Sequence, residues 1–203
     1  MAIDAYMYFD RYEGGMMKSE SQVDGTKAGA NDLFWSDGKY GFKKAQDEKA
    51  LFEVEDFSFD IEQVLSIGSQ SSGAGAGKVT FNPFSITRKI DKATTDFFSM
   101  ACSGTAFRRV VLGARKAAGG SSAGATYLTF CFKLVAVKTM SFSYDDESPK
   151  ETVTFEYGAL VVSYAQQDQS GAFKYGVTDR GWNRVRNIRD DKPDTDVLTG
   201  ATS

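Results

Sequence analysis

The chain has 203 residues, 41% of them hydrophobic and 25% charged, with a formal charge of −3 and no histidine. These are ordinary values for one globular domain, long enough to bury roughly 70% of its unfolded surface. The weak negative charge gives no general attraction to nucleic acid or anionic lipid. The lack of histidine removes imidazole acid–base catalysis, Ser-His and Cys-His nucleophile pairs and imidazole metal ligands.

Twenty glycines against three prolines, with 13% aromatics, favour many strands joined by open turns. Met1 to Phe9 alternates as a first strand, and Asp4 interrupts any signal-peptide core, so no cleaved leader is expected. No run reaches the ~18 apolar residues of a membrane span. Residues 10–50 are punctuated by glycine and charge, with Phe34-Trp35 and Tyr40 to Phe42 apolar enough to dock locally. This reads as a long insertion at 11–50 with one hairpin, and loops of that length are usually functional or disordered. Phe52 and Val54, then Phe57, Phe59 and Ile61, form the next strand with a phase slip near Glu55-Asp56. A strand bent in this way suits a closed or strongly coiled sheet.

Gly68 to Gly77, GSQSSGAGAG, is a flexible low-complexity loop. It fails as a phosphate cradle. A P-loop would need glycine where Ser72 stands and Ser/Thr where Val79 stands, and a dinucleotide fingerprint would need a third glycine at Lys78. It is expected to be a surface loop that orders against a partner. Lys78 to Gly120 follows as strand, helix, strand. Pro83 sits where Val79/Phe81 alternation gives way to Phe84/Ile86, a place where a missing N–H costs least. Asp91 is placed to cap a helix with Ala93, Phe97 and Ala101 on one face and Phe98 and Cys102 beside them. Gly104 is its left-handed stop. Cys102 and Cys131 both read as buried free thiols, too few for a disulfide framework or a zinc site.

Tyr127 to Met140 is the strongest strand pattern, with Leu128, Phe130, Phe132, Leu134, Ala136 and Met140 on one face. Tyr127, Thr129, Cys131, Lys133, Val135 and Val137 form a second face, semi-apolar and suited to a subunit contact. Tyr144 to Pro149 is an acidic turn whose Asp145, Asp146 and Glu147 read as solvated carboxylates. Glu151 to Tyr164 returns as a strand, and Phe173 to Val177 is a last short one. Arg180, Arg184, Arg186 and Arg189 surround Trp182, but Asp179, Asp190 and Asp191 offset them and one tryptophan is no base-stacking platform. This segment is expected to dock on its own or a neighbouring subunit. Residues 191–203 are expected to be a disordered tail beyond a single domain of residues 1–190.

Seven of these segments, in order, resemble the Hcp family, the tube protein of type VI secretion systems. MAIDAYMYFD is similar to that family's opening strand, M-x-x-D-x-Y-[LM]. GKVTFNPFSITRKIDKATTDFF is similar to its alternating strand, F-[ST]-[FI]-T-[RK], and D-K-A-[ST] helix start. Phe97-Phe98 to Gly104, FRRVVLGARKAAGG, the strands 127–140 and 152–164, and Gly181-Trp182-Asn183 continue the likeness over about 150 residues. The insertion at 11–50 and the sequence beyond Arg189 depart from it.

The resemblance implies a mainly β fold, a β-barrel of two antiparallel sheets with one flanking α-helix. It implies a non-enzymatic structural subunit, without metal or cofactor, that forms hexameric rings stacked into a hollow exported tube. Implied partners are further copies of itself, a VgrG-type spike, contractile sheath and baseplate proteins, and effectors in the lumen; nucleic acid and membrane are not among them. Assembly would be cytoplasmic, with export lacking a cleaved signal peptide. A tail-tube protein of a phage-like contractile particle and a monomeric β-sandwich binding module are the other readings. The candidate ring-stacking loop is Gly68, Ser69, Gln70, Ser71, Ser72, Gly73, Gly75 and Gly77, long and outside the barrel pattern, and the insertion is expected at ring faces or rims.

Overall fold

The structure is a computed structural model that describes residues 3–22, 32–36, 38–65, 76–116, 125–144, 148–167, 174 and 176–201. Eleven strands and three helices are described: β1 (Ile3–Arg11), α1 (Leu33–Ser36), α2 (Phe42–Asp47), β2 (Phe52–Glu53), β3 (Asp56–Ser58), β4 (Ile61–Leu65), β5 (Ala76–Phe81), β6 (Phe84–Lys89), α3 (Ala93–Ser103), β7 (Ala106–Lys116), β8 (Thr126–Tyr144), β9 (Pro149–Tyr164), β10 (Thr178–Asn183) and β11 (Ile188–Arg189). The acidic turn at 145–147 lies outside the described residues. Of the short strand expected over Phe173–Val177, the described positions 174, 176 and 177 carry no strand.

Nine strands form one antiparallel sheet in the order β11-β10-β9-β8-β7-β1-β2, with β6 also on β9 and β3 on β6; β4 and β5 form a second, two-stranded sheet. The sheet forks along β9. Its first half pairs β6 from Lys150 to Phe155, and its second half pairs β10 from Ala159 to Tyr164. The segment 52–58 spans the opening between β1 and β6. Val54 N–H donates to Ala5 O at 3.3 Å, and one residue later Glu55 N–H donates to Thr87 O at 2.9 Å. The phase slip expected near Glu55-Asp56 is this change of partner. The architecture is mainly β with two antiparallel sheets, as expected, but among the described residues no continuous ladder closes the barrel. The break between β5 and β6 falls at Asn82-Pro83, where proline withholds no ladder bond.

The barrel interior holds an aromatic core. Phe84 stacks between Phe132 and Phe155, with ring centroids at 3.9 and 4.8 Å. α3 closes one side of this core with Ala93, Phe97 and Met100. Phe97 meets Phe9 edge-on at 5.0 Å, and its complete burial is worth roughly 1.5–3 kcal/mol against leaving it exposed. The Asp91 carboxylate accepts from Ala93 N–H at 2.8 Å, and Gly104 ends the helix at φ 67°. The buried stripe therefore runs 93, 97, 100. Ala101, Phe98 and Cys102, expected inward, are exposed, because the helix is rolled so that its last inward turn uses Met100.

β8 does not keep one alternation along its length. Phe130 and Phe132 face the barrel core, then Val135 and Val137, then Met140. The first change occurs at Leu134, which is left-handed at φ 51°, and the second at a register shift between Val137 and Thr139. The inward set changes phase at both; the shift at 137/139 adds a residue to β8, whereas at Leu134 the register with β7 and β9 runs on unbroken.

A second core lies on the outer surface of the sheet. Tyr6, Tyr8, Val111, Cys131 and Val161 point into it from the strands, and Phe34, Trp35, Tyr40, Phe42, Ala45 and Leu51 come down from the insertion. Among its described residues the insertion contributes two short helices and no hairpin. Asp32 fastens it. Its carboxylate accepts from the Phe34 and Trp35 N–H groups at the start of α1 and from Thr126 N–H and Oγ1 at 2.9 and 2.7 Å.

Candidate assembly surface

The semi-apolar face of β8, expected to meet another subunit, is covered at Cys131 and Lys133 by the chain's own insertion and C-terminal segment, while its Val135 and Val137 turn into the barrel core. Cys131 donates its thiol to Pro193 O at 3.6 Å, and burial pushes that thiol up to about 11. Lys133, 2% exposed, donates to Asp190 Oδ2 at 2.9 Å, Lys192 O at 2.9 Å and Thr195 Oγ1 at 2.8 Å. A buried ammonium requires such an arrangement, with all three protons satisfied. Burial alone would raise the Asp190 carboxyl, but the bonds from Lys133 and Thr195 outweigh it and hold it below the usual range.

The segment expected to be a disordered tail is consequently seated as far as Ala201 in the described chain, with Thr195 and Val197 buried. Its low apolar content made it read as disordered. The anchoring comes instead from charge and backbone bonds, and the one signal for it was a lysine in the middle of an apolar strand. A cleft of about 280 Å³ remains between this segment and β7, lined by Tyr12, Arg108, Arg109, Lys133 and Asp194 among others.

Gly181, Trp182 and Asn183 each have a separate task. A Cβ on Gly181 would stand 2.1 Å from Asp190 O and 2.8 Å from Val161 Cγ2, so only glycine lets the returning segment lie against β10. Asn183 Nδ2 donates to Val197 O at 2.9 Å. Trp182 points the other way, with Arg180, into solvent. Asp179, on the inner face of β10, accepts from Lys39 Nζ at 2.5 Å and Tyr40 Oη at 2.6 Å. Burial opposes its ionisation, but those bonds hold its carboxyl low. Thus β10 clamps the insertion and the C-terminal segment with one face and leaves the other bare.

Of the candidate ring-stacking loop, Gly68, Ser69, Gln70, Ser71, Ser72, Gly73 and Gly75 lie outside the described residues, and Gly77 falls within β5. The structure places the two ends of that loop at Leu65 and Ala76, paired across the β4–β5 hairpin. The hairpin stands apart from the nine-stranded sheet because β10 takes the place beside β9 that β5 would have continued into.

A second bare face is polar. Along β3, β6, β9 and β8 the outward residues include Ser58, Ser85, Thr87, Thr152, Thr154 and Ser141, which the strand registers set side by side. Ser58 and Ser85 share a hydrogen bond at 2.9 Å, and Thr87 and Thr152 one at 3.0 Å. The charges flanking this face are paired, Lys150 with Glu55 and Lys138 with Glu156. Among the described residues no group of three or more Cys, Asp or Glu could hold a metal ion, and no helix is long and apolar enough to cross a membrane. What the surface offers is sheet faces and strand edges.

Comparison with known proteins agrees in sequence and in fold. Residues 22–164 match the family described as type VI secretion system effector, Hcp. The chain is 33% identical over 114 residues to protein hcp1 of Pseudomonas aeruginosa, an alignment covering 55% of this chain and 69% of that protein. A solved structure described as a type six secretion system protein superposes with a TM-score of 0.70 at 22% identity, covering 93% of this chain and all of the other. Hcp1 from Salmonella typhimurium superposes with a TM-score of 0.62 at 18% identity, covering 94% of this chain and all of that one. At such identities the structures speak for the fold, and the sequence match for the family. The chain belongs to the Hcp family of the type VI secretion system.

Proposed function

We propose that this chain is the structural subunit of a type VI secretion tube. It forms six-membered rings that stack into a hollow, exported conduit and performs no catalysis. The family match over residues 22–164 carries this reading. The structure supports it with a continuous sheet scaffold that leaves two sheet faces bare among the described residues. Ring closure by a single kind of subunit requires two different, matching patches on each copy. The VgrG-type spike, the sheath and baseplate and lumenal effectors are the remaining partners, with assembly in the cytoplasm followed by export.

Within this reading the loop from Gly68 to Gly77 contacts the next ring. Shortening Ser69–Ala76 should weaken stacking and spare ring formation; equal loss of both, or of neither, would refute that division. Electron microscopy of the purified full chain should show six-membered rings. A clean monomer at high concentration and low salt would overturn the reading, as would export unaffected by blocking sheath contraction.

A further inference from the structure

The two walls of the cleft between β7 and the C-terminal segment carry opposite charge. Arg108 and Arg109 come from β7, and Asp194 and Asp196 from the segment that faces it. Arg109 is committed within the fold, donating to Lys39 O at 3.2 Å and lying over the Tyr8 ring at 5.8 Å. Lys133 has all three of its protons placed. Arg108 is different. It is exposed, lies over the Tyr12 ring at 5.7 Å and gives one N–H to Tyr12 O at 3.3 Å. It makes no ion pair among the described residues, and its other guanidinium donors have no protein partner there.

Asp196 stands on the opposite wall. Its carboxylate accepts from Leu198 N–H at 3.0 Å, Thr199 N–H at 2.9 Å and the Thr199 hydroxyl at 3.1 Å, all on Oδ1. Oδ2 is therefore unused among the described residues. The Thr199 N–H holds this carboxyl below its usual range, and the charge of Arg108 adds to the effect, yet the two groups form no ion pair. Tyr12 completes the mouth. Burial pushes its hydroxyl up and the charge of Asp196 contributes, and among the described residues that hydroxyl has no partner. Pro193 and Val197, both buried, give the cleft an apolar wall. Its volume of about 280 Å³ falls just below the roughly 300–1,000 Å³ of drug-sized sites, so it suits a smaller ligand.

We propose that this cleft binds a small zwitterion of the α-amino-acid class, with its carboxylate on Arg108, its ammonium on Asp196 Oδ2 and an apolar side chain against Tyr12, Pro193 and Val197. A guanidinium takes a carboxylate with two parallel bonds. A simple anion is opposed by the two aspartates and a simple cation by the two arginines, so a molecule carrying both charges is selected over either. Attraction between exposed charges is weak in water, which makes both charges and the apolar contact necessary together. Once bound, the ligand ties the C-terminal segment to β7 and stabilises its seating by mass action. The site is complete within one chain and stands independently of the ring reading.

The test titrates the purified full chain with L-leucine, and separately with isoamylamine and isocaproate, which lack its carboxylate and its ammonium respectively. Calorimetry reads binding, and hydrogen exchange reads the amides of residues 192–197. Leucine should saturate the chain at millimolar concentration and slow exchange at those amides. Each analogue should bind roughly tenfold or more weakly, as the loss of a charged hydrogen bond implies. Arg108→Gln and Asp196→Asn should each weaken leucine binding by a similar factor. Both variants spare the fold, because glutamine keeps a stem beside Tyr12 and asparagine keeps the Oδ1 acceptor that the turn uses; circular dichroism is the control. The site would be overturned by the absence of saturable leucine binding, by an analogue that binds as well as leucine, or by wild-type affinity in either variant. Saturation that left exchange at 192–197 unchanged would overturn it too. None of these results would touch the ring reading.

Discussion

Leu134 lies directly over Gly158, so that a Cβ on the glycine would stand 3.1 Å from Leu134 Cδ2. Leu134 is held at φ 51°, a conformation that a leucine keeps only where its surroundings impose it. Gly158 is where β9 changes partner: Phe155 is the last residue to pair β6, Ala159 is the first to pair β10, and Gly158 O accepts from Arg184 N–H at 2.9 Å. The left-handed residue flips the faces of β8 at the level where its neighbour forks. One device thereby turns a single sheet into a barrel wall at one end and a clamp for the insertion at the other.

Enlarging Gly158 should damage that junction in proportion to size. Gly158→Val should lower the unfolding free energy by about 1–3 kcal/mol through overpacking against Leu134 and Val185. Gly158→Ala should cost less, because the flexible end of Leu134 can yield a few tenths of an ångström. In urea titrations Leu134→Ala should recover part of the Gly158→Val loss, a coupling expected of side chains in contact. Strict additivity of the two changes would show that they do not share the site.

The bonds of Lys133 make the C-terminal segment acid-sensitive. The Asp190 carboxyl has its folded value below the ordinary 3.8. Its stabilising contribution is therefore complete above the unfolded value and is lost as pH falls through the folded one. Hydrogen-exchange protection of amides 192–197 should persist at neutral pH and collapse in that acid range before the barrel unfolds. Asp190→Asn should remove the protection at neutral pH, and Lys133→Ala, by leaving Asp190 without its buried partner, should cost about 3 kcal/mol or more. Unchanged protection in Asp190→Asn would refute the latch.

The sequence made some of this fold legible and hid the rest for physical reasons. Alternation marked β8 and β9, β-branched and charged residues marked β7, and Asp91 and Gly104 marked the two ends of α3. The buried stripe of that helix was not legible, because 93, 97, 101 and 93, 97, 100 are equally good helical rows and only packing chooses between them. The flip at Leu134 was hidden because its neighbours are apolar on both faces. The semi-apolar second face was read as surface for another subunit because its true cover, Phe34, Trp35, Tyr40 and Phe42, sits among glycines and charges that read as loop. Arg180 and Trp182 stand together in the sequence, but that they share the bare side of β10 follows only from Asp179 and Asn183 being engaged on the other side.

The two cysteines should differ sharply in reactivity. Cys102 is exposed on the outer face of α3, while Cys131 is fully buried and its thiol is pushed up to about 11, chiefly by burial. Only thiolate reacts at an appreciable rate. A thiol reagent at pH 8 should titrate one cysteine quickly in the folded chain and the second only on unfolding, and Cys102→Ala should abolish the fast phase. Two fast thiols would mean that the cover formed by the C-terminal segment opens readily.

Glu151 should give a pH dependence of the opposite sign to that of Asp190. Its side chain lies beneath the start of α3, where Arg88 Nη1 donates to Glu151 Oε1 at 2.5 Å and the same guanidinium reaches Asp91. Arg88 is itself held over the Phe52 and Phe97 rings at 5.1 and 5.6 Å. Burial pushes the Glu151 carboxyl up, and Arg88 offsets this only in part. An acid whose folded value is raised binds its proton more firmly folded than unfolded. That extra stability is complete at pH below the unfolded value and disappears as pH rises through the folded one. Glu151→Gln should therefore cost more stability at pH 4 than at pH 7, measured as the difference in urea-unfolding free energy from the wild-type chain. Arg88→Met should be the more damaging change at pH 7, because it leaves Glu151 ionised and buried without its cation, and lowering the pH should partly relieve it. A Glu151→Gln penalty that grew with pH would show that Arg88 more than repays the burial and that the carboxylate is the favoured form in the fold.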